Sequence, residues 1–119
     1  MEIKNAIIEN TMLGTEDHGI MTAFLTLNYG GSGQAFGGYS FDGFDEKQNK
    51  RIGSAYGCEF IMRVLKVVGV ESWEKLKGKH IRVKADRGKV YAIGNIIEDE
   101  WFSPEELEDK TPKQKGVRR

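Results

Sequence analysis

The sequence predicts an α+β fold in which an antiparallel sheet, in the chain order βββαββα, packs on one main helix. Residues 20–28 place apolar side chains on one face and a mixed set on the other, and residues 80–86 alternate apolar and polar side chains, as half-buried strands do. Residues 56–68 instead repeat apolar side chains at helical spacing. With 119 residues and no pattern of a parallel crossover, the chain is expected to form one domain over residues 1–109.

The first half of the chain predicts a three-stranded meander. The first strand is expected over residues 3–10, followed by a turn at residues 14–19. The second strand covers residues 20–28, and residues 30–33 reverse the chain. The third strand, residues 34–41, is rich in glycine and is therefore expected at a sheet edge or against a ligand.

The helix follows a polar stretch. Residues 44–53 carry mostly charged and amide side chains and predict a mobile loop. Ser54 is a good N-cap, and Gly69 is placed as a left-handed stop. Between them lies a single apolar stripe, formed by Tyr56, Phe60, Ile61, Val64, Leu65 and Val68.

The last part of the chain predicts a hairpin and a short helix. Ser72 caps a short turn, and the strand over residues 80–86 passes through an Asp86–Lys89 turn into a strand over residues 90–97. A serine, a proline and a glutamate at residues 103–106 predict a capping box that opens a brief acidic helix. Residues 110–119 are polar and basic, which predicts a disordered tail.

Composition excludes several functional classes. The 18 basic and 18 acidic residues balance, which argues against a nucleic-acid binder that relies on a global positive field. One cysteine cannot form an internal disulfide, and neither a signal peptide nor a membrane span is predicted. We therefore expect a cytoplasmic protein with no membrane partner. The cations within residues 75–89 and the acids within residues 98–109 are separated along the chain, although a solvated mixed-charge surface explains them equally well.

No catalytic or metal site is predicted. Glu16, Asp17 and His18 crowd one turn, but two histidines and one cysteine offer no metal-ligand spacing. Cys58 falls near the helix start, where a thiolate is favoured, yet a nucleophile also needs a base, and only His18 or His80 is available. We expect a non-enzymatic protein without a cofactor.

The strongest binding signal is the segment over residues 29–44, which interleaves six glycines with five aromatic rings. Successive backbone N–H groups at Gly30, Gly31 and Gly33 are suited to an anion-binding nest, with Ser32 and Gln34 as further hydrogen-bonding groups. The rings of Tyr29, Phe36 and Tyr39 are candidates to stack on a ligand. The alternative is structural: a tight hairpin and a bulged edge need the same glycines.

A second candidate lies on the strand over residues 80–86. His80, Arg82 and Lys84 project from one strand face within about 14 Å, as a phosphate-binding row would. Tyr91 on the next strand is a candidate to stack a base beside them. A solvated strand face is the alternative.

Four blocks of sequence carry a family resemblance: MLGTEDHGI at residues 12–20, YGGSGQAFGGY at 29–39, ESWEKLKGK at 71–79 and YAIGN at 91–95. Together they resemble a family of small proteins encoded by bacteriophages and prophages, over most of residues 3–103. The resemblance implies a counter-defence protein that acts in the cytoplasm of the bacterial host.

Two partner classes follow from that context: a nucleotide second messenger sequestered without catalysis, or a host defence protein such as a CRISPR effector. The sequence favours the nucleotide, because a DNA mimic would be strongly acidic. An accessory protein that binds single-stranded nucleic acid is a third alternative, and a homo-oligomer is left open.

Overall fold

The computed structural model describes residues 1–16 and 18–107. Within these residues the chain forms eight strands, one α-helix and two short 3-10 turns at Trp73–Lys75 and Pro104–Glu106. The strands are β1 Glu2–Glu16, β2 Ile20–Tyr29, β3 Ser32–Gly37, β4 Asp42–Asp45, β5 Lys50–Gly53, β6 His80–Asp86, β7 Lys89–Gly94 and β8 Trp101–Phe102, and the helix is α1 Ala55–Val68.

Six strands form one curled antiparallel sheet in the order β3-β2-β1-β6-β7-β8. The long strand β1 pairs with β6 through its first part and with β2 through the rest, and its register shifts between Ile8 and Asn10. Such a bulge bends a strand and increases its twist. The sheet curls until β3 lies near β7, so that its concave face surrounds the core and its outer face points away from it.

Alternation in the strands decides which side chains enter the core. Ile81, Val83 and Ala85 of β6 are buried, as predicted, while the residues between them lie on the outer face. Ala23, Leu25 and Leu27 of β2 are fully buried in the same way. The fold is therefore α+β with an antiparallel sheet, as expected, but it is richer in strands than the predicted βββαββα order.

The helix contributes its apolar stripe to an aromatic cluster. Phe60 is fully buried, and its ring centroid lies 5.9 Å from Phe36, 5.2 Å from Phe41 and 5.5 Å from Phe102. The predicted caps are confirmed. The Ser54 hydroxyl accepts from the backbone N–H of Gly57, and Gly69 adopts a left-handed conformation with φ 90°.

The prediction of a mobile loop at residues 44–53 is wrong, because this stretch belongs to the β4–β5 hairpin. Its anchor is the Asp42 carboxylate, which accepts from Arg51 Nη2 at 2.8 Å and from Nε at 2.9 Å. The same carboxylate accepts from the backbone N–H of Met21 at 3.3 Å, which ties the hairpin to β2. Charged side chains thus form the hairpin through an ion pair rather than leaving it loose.

Other boundaries also differ from the prediction. β1 continues to Glu16 because it gains β2 as a partner, and β3 ends at Gly37 rather than at residue 41. The predicted capping box at Ser103 and Glu106 is confirmed, but the brief acidic helix that it was expected to open is a single 3-10 turn. The predicted tail at residues 110–119 lies outside the described residues.

No helix within residues 1–16 and 18–107 has both the length and the apolar character needed to cross a bilayer.

Candidate functional site

A pocket lies at one end of the curled sheet, where the concave face opens. Its volume is about 470 Å³, within the usual range for small-molecule sites. The lining combines apolar groups, two cations, two carboxylates, an amide and a tyrosine ring. These belong to Met1, Glu2, Lys4, Tyr29, Gln34, Ala85, Asp86, Arg87 and Gly88.

Three pieces of the sheet meet at this opening. The β2–β3 hairpin supplies Tyr29 and Gln34, and the start of β1 supplies Glu2 and Lys4. The turn between β6 and β7, with Arg87 at its tip, supplies the remaining wall. Only the curl of the sheet brings the hairpin and the turn to the same opening, since β2 and β6 are separated in the sheet by β1.

The polar groups of the pocket are held by weak contacts. Lys4 Nζ lies 3.4 Å from a Glu2 carboxylate oxygen and 5.8 Å from the Tyr29 ring centroid. Both members of this ion pair are exposed, at 46% and 75% of their side-chain surface, so the pair contributes little to stability. The Arg87 backbone N–H donates to Asp86 at 3.0 Å, which fixes the turn and not the guanidinium. These side chains are free to rearrange around a ligand.

Part of the predicted glycine and aromatic site lies at this opening. Tyr29 and Gln34 line the pocket, and Gly30 and Gly31 form the two-residue turn of the hairpin beside it. Both turn glycines have positive φ, at 69° and 83°, the conformation that a tight two-residue hairpin requires. The Ser32 backbone pairs with Tyr29.

The rest of the predicted segment lies elsewhere. Gly33 pairs with Asn28 within the hairpin. Phe36 is only 2% exposed and belongs to the aromatic core, so it offers no stacking surface. Tyr39 lies beyond β3; the residue is 39% exposed, and its ring makes an edge contact to the Phe60 ring with centroids 6.4 Å apart.

Arg82 is placed on the outer face, where it holds a loop. Its Nε donates to the carbonyl oxygen of Asn95 at 2.8 Å, and Nη2 donates to that of Glu98 at 2.9 Å. The guanidinium carbon also lies 4.7 Å from the Trp101 ring centroid. Most of this side chain is therefore engaged within the protein.

The other members of the predicted row share that outer face. His80 is exposed, and Lys84 Nζ lies 4.4 Å from the Trp101 ring centroid. Tyr91 follows in β7, at an irregularity of the β6–β7 register, with Lys89 Nζ 4.8 Å from its ring. The row and the pocket are on opposite faces of the sheet, so the structure does not bring them into one site.

Sequence reasoning missed the charged groups of the pocket. Lys4 lies in an ordinary strand pattern, and Arg87 was predicted only as part of a hairpin turn. No local signal marks either residue as functional, because the pocket depends on strand register and on the curl of the sheet.

The expected absence of a metal site remains a prediction. Among residues 1–16 and 18–107, the structure holds no group of three side chains suited to a metal ion. Asp17, from the predicted crowded turn, lies outside those residues. Cys58 is exposed on α1.

Comparison of the chain with family models, curated proteins and solved structures finds no match in any of the three.

Proposed function

We propose that the protein binds a nucleotide-sized ligand in the pocket at the end of the curled sheet and returns it unmodified. The observation that carries this proposal is the composition of the pocket. Lys4 and Arg87 suit phosphate oxygens, and Tyr29, which is 8% exposed and belongs largely to the core, contributes its small exposed part to the pocket wall. The Gln34 amide and the two carboxylates suit the hydroxyls of a ribose and the amino groups of a base.

Counter-defence is the biological role that fits such binding. The resemblance to small phage and prophage proteins motivates this role, and a nucleotide immune signal is the one of its two implied partner classes that a small-molecule pocket favours. Sequestration needs affinity without chemistry, and nothing in the pocket requires a reaction. Of the predicted glycine and aromatic segment, this proposal assigns ligand contacts to Tyr29 and Gln34 only, and the Gly30–Gly31 turn positions them.

The test is a thermal-shift and calorimetry screen of the purified protein against cyclic dinucleotides, cyclic trinucleotides and ADP-ribose derivatives. A ligand present at 100 times its dissociation constant stabilises a fold by about 2.7 kcal/mol, which is easily measured. Mass spectrometry of the released ligand then separates sequestration from hydrolysis.

Variants locate the site. We expect Lys4→Ala combined with Arg87→Ala to weaken binding by about 100-fold, because two charge-assisted contacts are lost. Lys84→Ala on the outer face is the matched control and should bind as the parent does. If Lys84→Ala abolishes binding and the double variant does not, the ligand lies on the outer face and the pocket proposal is wrong.

A further inference from the structure

The loop between β7 and β8 presents an exposed apolar tip beside acidic groups. Ile97 is 83% exposed and Ile96 is 39% exposed. Glu98 follows directly, and within residues 1–16 and 18–107 its carboxylate makes no ion pair. We call residues 95–100 the acidic loop. An isoleucine exposed to this extent costs solvation energy unless another surface covers it.

Hydrogen bonds within the acidic loop and to its neighbours support its backbone, and Asn95 makes most of them. Asn95 Oδ1 accepts from the backbone N–H groups of Ile97 at 2.9 Å and Glu98 at 2.8 Å. The Asn95 backbone N–H donates to the carbonyl oxygen of Glu100 at 2.9 Å, and Asn95 Nδ2 donates to that of Val67 at the end of α1. A tip ordered in advance loses little conformational entropy when it binds.

A surface of matching chemistry lies on the outer face of the sheet. Ile3 and Ile7 of β1 are 58% and 40% exposed. They pair directly with Lys84 and His80 of β6, so that each exposed isoleucine lies beside a basic side chain, with the Asn5–Arg82 pair between them. We call these four residues the outer strip. Within the described residues, neither Lys84 nor His80 forms an ion pair.

The two surfaces are neighbours on one side of the molecule. Arg82, between His80 and Lys84 on β6, donates to the carbonyl oxygens of Asn95 and Glu98 and so anchors the acidic loop beside the outer strip. Two complementary patches side by side on one face can each meet the other when a second copy is related by a two-fold axis.

We propose that the protein forms a two-fold symmetric dimer in which the acidic loop of each copy docks on the outer strip of the other. Ile97 packs against Ile3, and Glu98 faces Lys84, the residue that pairs with Ile3. Charge complementarity selects a second copy as the occupant, since each copy supplies both halves of the contact. This inference is independent of the nucleotide pocket, which lies on the opposite face.

Sedimentation velocity of the full chain, from micromolar to millimolar concentration, tests the proposal. The parent protein is expected to dimerise, and Ile97→Asp should weaken the dimer by about tenfold or more, because a charge replaces the central apolar contact. Met62→Asp, at an exposed site on α1, is the matched control and should dimerise normally. A monomeric parent, or an Ile97→Asp dimer of unchanged affinity, overturns the proposal.

A charge exchange gives a readout that misfolding cannot imitate. Lys84→Glu and Glu98→Lys each place like charges at both contacts of the dimer and should be monomeric alone. Mixed in equal amounts, they restore opposite charges at both contacts, so a heterodimer should form. Two monomeric variants that stay apart when mixed, with normal circular dichroism, would overturn the assigned pairing.

Discussion

The β2–β3 hairpin is glycine-rich at both ends, but the two ends use glycine differently. At the turn, a Cβ atom added to Gly30 or Gly31 would meet nothing within 4 Å. At the other end, a Cβ on Gly37 would lie 2.7 Å from the carbonyl oxygen of Ala23 and 3.0 Å from the Phe60 ring. The first end needs glycine for its backbone angles alone, whereas Gly37, with φ 108°, needs it both for its backbone angles and for close packing.

The packed end continues into the helix and the β4–β5 hairpin. A Cβ on Gly57 of α1 would lie 2.5 Å from the Cβ of Phe41. The Asp42 carboxylate then joins that hairpin to β2. Substitutions at the packed end should therefore affect stability most, and those at the open end least. This leaves the open end free to serve the pocket.

The largest effect is expected from Asp42→Asn. Asp42 is 8% exposed, and an amide in its place leaves the Arg51 guanidinium without its counter-charge. We expect the free energy of unfolding to fall by about 2 kcal/mol, less than for a fully buried pair because Arg51 is 27% exposed. Urea denaturation measures it. Glu46→Gln, an exposed carboxylate in the same hairpin, is the control, and an equal loss there would refute the anchoring role.

The same pair gives stability a pH dependence. Burial raises the pKa of Asp42. The hydrogen bond and charge of Arg51, together with hydrogen bonds from the Met21 N–H and the Ser40 hydroxyl, lower this pKa by more than burial raises it, so the net shift is downward. A lowered pKa adds stability above the ordinary carboxyl pKa, and that contribution is lost as the pH falls through the folded value. The difference in the free energy of unfolding between the parent and Asp42→Asn should therefore be largest at neutral pH and decrease below about pH 4.

An intermediate effect is expected from Gly57→Ala. Helix propensity alone would make this change stabilising by about 1 kcal/mol. The clash with Phe41 Cβ, an atom close to its own backbone, should cost more than that gain. We expect a net loss of about 1 kcal/mol in thermal or urea unfolding. Gly53→Ala, where an added Cβ meets nothing within 4 Å, should change stability little, and a stabilised Gly57→Ala variant would contradict the packing argument.

The contrast between the two ends also shows how far the sequence could be interpreted. The Ser54 and Gly69 caps, the turn at Gly30 and Gly31 and the buried face of β6 follow from local rules, and all were predicted correctly. The β4–β5 hairpin was missed because the ion pair that anchors it joins residues nine apart within a polar stretch. The pocket was missed because curling brings together three segments that share no local pattern. Phe36 shows this limit of sequence interpretation most clearly. An aromatic residue beside glycines can stack on a ligand or fill a core, and the choice depends on which face of the sheet its side chain occupies.

The smallest effect is expected from Gly31→Ala at the open end. An alanine in the Gly31 conformation, with φ 83°, costs about 1 kcal/mol. The substitution also lowers the conformational entropy of the unfolded chain, which offsets part of that cost. The free energy of unfolding should fall by about 0.5 kcal/mol, with no clash to add to it. Gly33→Ala, with an ordinary backbone conformation and its nearest contact at 4.0 Å, is the control. Because the Gly30–Gly31 turn positions Tyr29 and Gln34, ligand affinity should fall more than stability does. If the Gly31→Ala variant loses stability but keeps its ligand affinity, the turn does not position the pocket residues.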